Sequence, residues 1–210
     1  MKCHEVYLFS ISSHPDAISI NSLDISFFQP SIDFSQYDYL IITSKQACEA
    51  LKQYDTNEYI SKKALCISNA SAKSFEALGG SVLGVGKGYG DTLTSKIQTY
   101  QKSTKWLYLR AKIVASDFVD ICVKDGYNID EAIVYESKCS QKIMDVEVSQ
   151  NATLIFTSPS SIECFLKKHN FFDTQNIIVI GKTSAKKLPK GVKYTLSKET
   201  TIQSCIDLSQ

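Results

Sequence analysis

The sequence predicts an α/β protein of two lobes, each a parallel sheet flanked by helices in the Rossmann/flavodoxin-like manner. Three observations predict it. First, one phrase occurs twice: Asp38-Tyr-Leu-Ile-Ile-Thr-Ser44 returns as Thr153-Leu-Ile-Phe-Thr-Ser158. Second, another phrase follows each copy: Ala64-Leu-Cys-Ile-Ser-Asn-Ala-Ser71 returns as Ile177-Ile-Val-Ile-Gly-Lys-Thr-Ser184. The separations nearly agree, since 158 minus 44 is 114 and 184 minus 71 is 113. Third, short apolar runs alternate with helical patterns along most of the chain, the signature of parallel strands covered on both faces. At 210 residues the chain has room for two modest cores of about 100 residues each.

Taken in order, His4–Ser10 alternates and reads as a strand, and Ala17–Asn21 as a second. Ile11–Asp16 between them is too short for a crossover helix. Leu23–Phe28 continues extended toward Pro30. Tyr39–Thr43 is a strand and Lys45–Tyr54 a helix; Ala64–Ile67 is a strand and Ala70–Leu78 a helix stopped by Gly79-Gly80. Ser81–Val85 is a strand, and Asp91 is the expected cap of a helix running to Gln101. Trp106–Leu109 is a strand, Ser116–Lys124 a helix ended by Gly126, and Ile129–Glu136 a strand. Thr153–Phe156, Ser160–His169, Ile177–Ile180, Ser184–Leu188, Lys193–Leu196 and Thr201–Leu208 continue the alternation of strand and helix.

Composition narrows the function. Hydrophobic residues make up 43% and charged residues 21%, with a net charge of +1. No basic stripe points to nucleic acid. The N-terminal Met-Lys-Cys-His-Glu-Val lacks a signal peptide's apolar stretch, and no run approaches a membrane span of about 20 residues, so a cytoplasmic home is expected. Seven cysteines, with no Cys-x-x-Cys pair, read as buried reduced thiols. His4, His14 and His169 are far apart and show no metal-ligand spacing.

The repeated phrases carry the chemistry. Each runs from an apolar strand through a Thr/Ser turn into a helix start, where the first N–H groups lack internal partners and favour anions. The turns fall at the carboxyl ends of the strands, where α/β sheets bind ligands. The expectation is a cleft for something negatively charged, with Ser44, Ser71, Ser158, Thr183 and Ser184 as contacts. Arg110, the chain's only arginine, ends a strand and reads equally as cleft cation or solvated base. Tyr135, from its surroundings alone, reads as an aromatic packed at a domain junction. Gly84-Val-Gly-Lys-Gly-Tyr-Gly90 has the wrong order for a dinucleotide loop and reads as a flexible turn.

Laid end to end, Leu-Ile-Ile-Thr-Ser44, Ile-Ser-Asn-Ala-Ser71-Ala, Leu-Tyr-Leu-Arg110-Ala, Ala-Ile-Val-Tyr135-Glu, Ile-Phe-Thr-Ser158-Pro-Ser and Ile-Gly181-Lys-Thr-Ser184-Ala resemble the uroporphyrinogen-III synthase family. The resemblance implies a monomer with a discontinuous first lobe of residues 1–22 and 142–210, a second lobe of residues 28–134, and a two-segment extended linker at 23–27 and 135–141. It implies a reaction in which linear hydroxymethylbilane loses its terminal hydroxyl, passes through a spiro intermediate, and closes with ring D inverted. Water is released, the enzyme is a hydro-lyase, and no metal or cofactor takes part. By the resemblance Tyr135 assists departure of the hydroxyl, while Ser44, Ser71, Ser158, Thr183 and Ser184 meet substrate carboxylates. A transient contact with hydroxymethylbilane synthase is the one protein partner implied. Ser68 departs from the family's usual glycine, and Ser71 and Ser184 replace common threonines.

The rival reading is a bilobal small-anion or sugar binding module without catalysis. Such modules usually carry extra length, a signal peptide or a DNA-binding headpiece. A tandem of response-regulator type lacks support, because Ser-Ile-Ser-Ser stands where a phosphoacceptor site needs acidic residues.

Overall fold

The computed structural model describes residues 5–114 and 116–209. In chain order the elements are β1 (Val6–Ser10), β2 (Ile18–Asn21), β3 (Leu23–Phe27), β4 (Tyr39–Ile42), α1 (Lys45–Leu51), α2 (Thr56–Tyr59), β5 (Lys63–Cys66) and α3 (Asn69–Glu76). They continue with β6 (Val82–Val85), α4 (Gly90–Ile97), β7 (Lys105–Ala111), α5 (Phe118–Lys124), β8 (Asn128–Cys139) and α6 (Gln141–Asp145). The last are β9 (Thr153–Phe156), α7 (Pro159–Phe165), β10 (Asn176–Val179), α8 (Lys182–Ala185), β11 (Thr195–Leu196) and α9 (Ile202–Asp207). Contacts divide the chain into two units, Met1–Asp24 with Lys138–Gln210, and Ile25–Ser137.

The discontinuous unit holds a five-stranded sheet in the order β11-β10-β9-β1-β2, parallel throughout. Its strands are apolar because both faces are covered. On one face Tyr7, Phe9, Leu154, Phe156 and Phe165 cluster; on the other, Leu8, Ile155, Ile178, Cys205 and Ile206 do. Alternate residues of one strand thus feed opposite cores, as the two-residue strand period requires.

The continuous unit holds a six-stranded sheet in the order β3-β8-β7-β4-β5-β6, parallel from β8 to β6. Here Leu40, Ile42, Leu107 and Leu109 face one core, while Ile41, Leu65, Trp106 and Tyr108 face the other. β3 runs antiparallel to β8. Phe28 N–H bonds the Val134 carbonyl and Ser140 N–H bonds the Ser22 carbonyl, so one strand's numbers rise as the other's fall. Gly79 ends α3 at φ +88°, a left-handed position that glycine adopts without strain.

Several boundaries differ from expectation. The helix after β4 stops at Leu51 rather than Tyr54, and a separate short helix, α2, follows it. Asp91 does not cap α4: Tyr89 holds that position, and the Asp91 carboxylate accepts from Thr92 N–H one residue inside the helix. β8 runs three residues past Glu136, because pairing with β3 gives its outer edge a partner. The cysteine expectation is corrected in part. Cys139 and Cys164 form a disulfide between the end of β8 and α7, with Cα atoms 5.3 Å apart. Cys48, Cys66, Cys122 and Cys205 are free and buried. Cys3 and His4 lie outside the described residues.

Candidate active site

In an open parallel sheet the ligand side is the carboxyl edge, at the point where strand order reverses. In the continuous unit the chain lays β4, β5 and β6 to one side and β7 and β8 to the other, so the reversal lies between β4 and β7. Thr43 and Ser44 leave β4 at that point. The Thr43 hydroxyl lies 2.9 Å from the Tyr108 hydroxyl on β7. Ser44 caps α1, its oxygen accepting the Gln46 N–H at 3.1 Å.

Tyr135 joins this group from β8. A one-residue bulge offsets the β7–β8 register, so that Arg110 faces Ile133 but Ala111 faces Tyr135. Strand alternation breaks there, and Val134 and Tyr135 both enter one core cluster. Tyr135 is 8% exposed. Burial raises its pKa above the ordinary phenol value, and hydrogen bonding to the Ser44 side chain opposes that rise. The group is therefore a neutral phenol at physiological pH, able to donate one proton.

Arg110 does not stand as a solvated base. Its Nη1 donates to the carbonyls of Ala111 at 2.9 Å and Lys112 at 3.2 Å, and its Nε lies 2.7 Å from Glu131 Oε2. That last contact is an ion pair without straight hydrogen-bond geometry, since no N–H points along it. Arg110 thus shapes the turn after β7 as well as charging it.

Ser71 lies on α3, 2% exposed. Its hydroxyl donates to the Ser68 carbonyl at 2.9 Å and accepts the Ser68 N–H at 3.2 Å, while Ser68 Oγ accepts the Ser71 N–H. This reciprocal capping box commits the Ser71 side chain to holding the turn.

The discontinuous unit repeats the plan. Its order reverses between β1 and β9, where the Thr157 hydroxyl donates to the Phe9 carbonyl at 3.3 Å. Ser158 caps α7 in a second capping box with Ser161. Gly181 caps α8 without a side chain, Thr183 is exposed on its first turn, and Ser184 is buried. Exposed Lys45 and Lys182 occupy the first positions of α1 and α8. Cavities of about 470 and 460 Å³ open instead at the amino ends of the sheets, beside β10 and β4, and contain none of these residues.

The structure therefore brings Tyr135 and Ser44 together and sets Arg110 on the neighbouring strand. The sequence reasoning passed over Tyr108, Glu131, Lys45 and Lys182. For Tyr108 a signal existed: a hydroxyl inside the apolar run Trp106–Leu109 needs a buried partner. Glu131 gave none, since its pairing with Arg110 follows from strand order. Among the described residues no cluster of His, Cys, Asp and Glu is arranged to hold a metal, and no helix is long and apolar enough to cross a membrane.

The family model of uroporphyrinogen-III synthase HemD matches residues 16–207. The chain belongs to the uroporphyrinogen-III synthase family. That membership makes it an enzyme of tetrapyrrole synthesis acting on a small-molecule tetrapyrrole. Among solved structures, uroporphyrinogen-III synthetase from Helicobacter pylori 26695 is 22% identical, with a TM-score of 0.81 over 98% of this chain and 97% of that one. A mutant uroporphyrinogen III synthase from the extremely thermophilic bacterium Thermus thermophilus is 13% identical, with a TM-score of 0.62 over 91% of this chain and 86% of that one. At these identities the two structures speak for the family's fold of two parallel α/β lobes. No curated protein matches the chain.

Proposed function

We propose that the chain closes hydroxymethylbilane to uroporphyrinogen III, inverting ring D and releasing water, and so acts as a hydro-lyase. The observation that carries the reading is the buried neutral phenol of Tyr135, held against Ser44 on the carboxyl side of the sheet.

The chemistry follows from that phenol. The carbon–oxygen bond of the terminal hydroxymethyl group breaks, and the oxygen leaves as water with the proton of Tyr135. The carbon left electron-poor is attacked by ring D through the α-carbon that already carries the bridge to ring C, giving the spiro intermediate. The old bond from that α-carbon to the ring C bridge then breaks, and the bridge carbon bonds the other α-carbon of ring D, which inverts the ring. Loss of the proton on that second α-carbon restores the pyrrole, the proton restores the phenol, and the net loss is one water. Ser44 accepts the Gln46 N–H and so has its own proton to give to the phenol oxygen. That donation stabilises the charge developing on Tyr135 as its proton departs.

The substrate's eight carboxylates are met by the turn groups. Ser158 and Thr183 present hydroxyls, and the turns of Ser44, Ser158 and Thr183 present N–H groups at helix starts. Ser71 acts through the turn it helps to shape, Ser184 contributes from the first turn of α8, and the Arg110 guanidinium adds a fixed charge. Lys45 and Lys182 add mobile ones. A cytoplasmic location and a transient contact with hydroxymethylbilane synthase, the source of the same substrate, complete the proposal. Following hydroxymethylbilane consumption with the chain and with its Tyr135→Phe variant tests it. Acceleration that needs Tyr135 supports the reading; consumption at the uncatalysed rate in both refutes it.

A further inference from the structure

Strand alternation would put Ile129, Glu131, Ile133 and Tyr135 on one face of β8. Tyr135 leaves that face. The β7–β8 register slips between Arg110 and Ala111, so that Val134 has no partner on β7, and Tyr135 joins Ala132 and Val134 in the opposite core. Backbone groups displaced by such a bulge need other partners. On the β3 side the Val134 carbonyl accepts the Phe28 N–H at 2.9 Å. On the β7 side Arg110 Nη1 donates to the carbonyls of Ala111 at 2.9 Å and Lys112 at 3.2 Å, and the Lys112 N–H donates to the Tyr135 carbonyl at 2.8 Å. Two hydrogen bonds through Lys112 therefore join the guanidinium to the backbone of Tyr135.

Glu131 holds that guanidinium from the other strand. Its Oε2 lies 2.7 Å from Arg110 Nε, two residues before Ile133, the register partner of Arg110. We propose that Glu131 is a positioning residue: by holding Arg110 against the carbonyls of Ala111 and Lys112, it keeps the bulge, and with it the side of the sheet on which Tyr135 presents its proton. The inference rests on Tyr135 as proton donor. The arrangement calls for arginine, whose planar fork reaches two carbonyls and a carboxylate together, where a lysine ammonium is a point charge. A small displacement is enough to matter, because a reacting group misplaced by about 1 Å can cost about 10² in rate.

The competing account is a partly exposed ion pair that adds a little stability and nothing else. The two accounts differ in a double-mutant cycle, because a residue acting through Tyr135 loses its effect when Tyr135 cannot donate. The experiment measures kcat and KM on hydroxymethylbilane for Glu131→Gln and Arg110→Lys, each in the parental and the Tyr135→Phe background, with urea unfolding as the control for folding. The Arg110 and Glu131 side chains are 19% and 35% exposed. The expected result for Glu131→Gln is therefore a fall in kcat of about fivefold, the kinetic equivalent of about 1 kcal/mol, the upper worth of such a pair, with KM not raised. Arg110→Lys, which keeps the charge and loses the fork, lowers kcat at least as far. In the Tyr135→Phe background neither substitution lowers kcat further. Parental kcat in Glu131→Gln or Arg110→Lys, or the same proportional loss in both backgrounds, overturns the inference. Should Glu131→Gln not fold, Arg110→Lys decides by the same criterion. A Tyr135→Phe variant with parental kcat would show separately that the reading of Tyr135 has failed.

Discussion

Replacing Tyr135 by phenylalanine removes one oxygen and leaves the ring in its cluster with Leu40, Ile42, Val134 and Leu109. The structural cost is then the phenol oxygen's interaction with the Ser44 side chain, at most about 1 kcal/mol. For a chain of this size that lowers Tm by about 2–4 °C. The chemical cost is larger, because a general acid is worth about 10²–10⁴ in rate. The lower end, about 10², is expected, since the hydroxyl leaves readily even without enzyme. Phenylalanine also removes an interaction made only as the bond breaks, so kcat should fall while KM stays put. The assay is initial-rate kinetics on freshly prepared hydroxymethylbilane, with thermal unfolding as the control for folding. A variant with parental kcat, or one whose loss lies wholly in KM, would refute the assignment of Tyr135 as proton donor.

Further outcomes follow from other parts of the molecule. Ser68→Ala breaks the capping box at α3 and should cost about 1 kcal/mol, read as a lower midpoint in urea with an unchanged slope. The disulfide Cys139–Cys164 closes a loop of sequence separation 25, for which chain entropy gives about 3.5 kcal/mol, so a reductant or Cys139→Ser should lower the midpoint accordingly. Burial pushes the thiols of Cys48 and Cys66 up to about 11 and about 12, and the Tyr54 phenol to about 12. Groups with raised folded pKa values contribute stability that is fully present below their unfolded values and lost as pH rises through the folded ones. Unfolding free energy should therefore decline from about pH 9 to pH 12, and alkaline denaturation monitored by circular dichroism checks this.

The doubled phrases made the two-lobe α/β class legible, because a parallel strand buried on both faces must be apolar and its following turn must satisfy a helix start. Leu-Ile-Ile-Thr-Ser44 and Leu-Ile-Phe-Thr-Ser158 show both constraints in a handful of residues. The turns after β4 and β9 were legible for the same reason. What depends on pairing across distant segments was not. The bulge that turns Tyr135 into the core depends on where β8 meets β7, and no local pattern around Ile133-Val134 marks it. Arg110 was visible as a strand-end cation, but its hold on Glu131 was not. Ser71 was legible as a turn hydroxyl, and only the geometry shows that Ser68 consumes it. The cysteines misled because Cys139 and Cys164 sit 25 residues apart with no spacing motif, and their approach comes from α7 packing near the end of β8.

The most direct test of the account is the isomer ratio. Hydroxymethylbilane left alone closes without turning ring D, giving isomer I, so isomer III can appear only where the ring is inverted. Incubating the chain with fresh substrate, oxidising the products and separating the two isomers reads the central claim in a single trace. The account predicts isomer III in large excess, formed at a rate proportional to the amount of chain added. Isomer I alone, at the rate seen without protein, would contradict it.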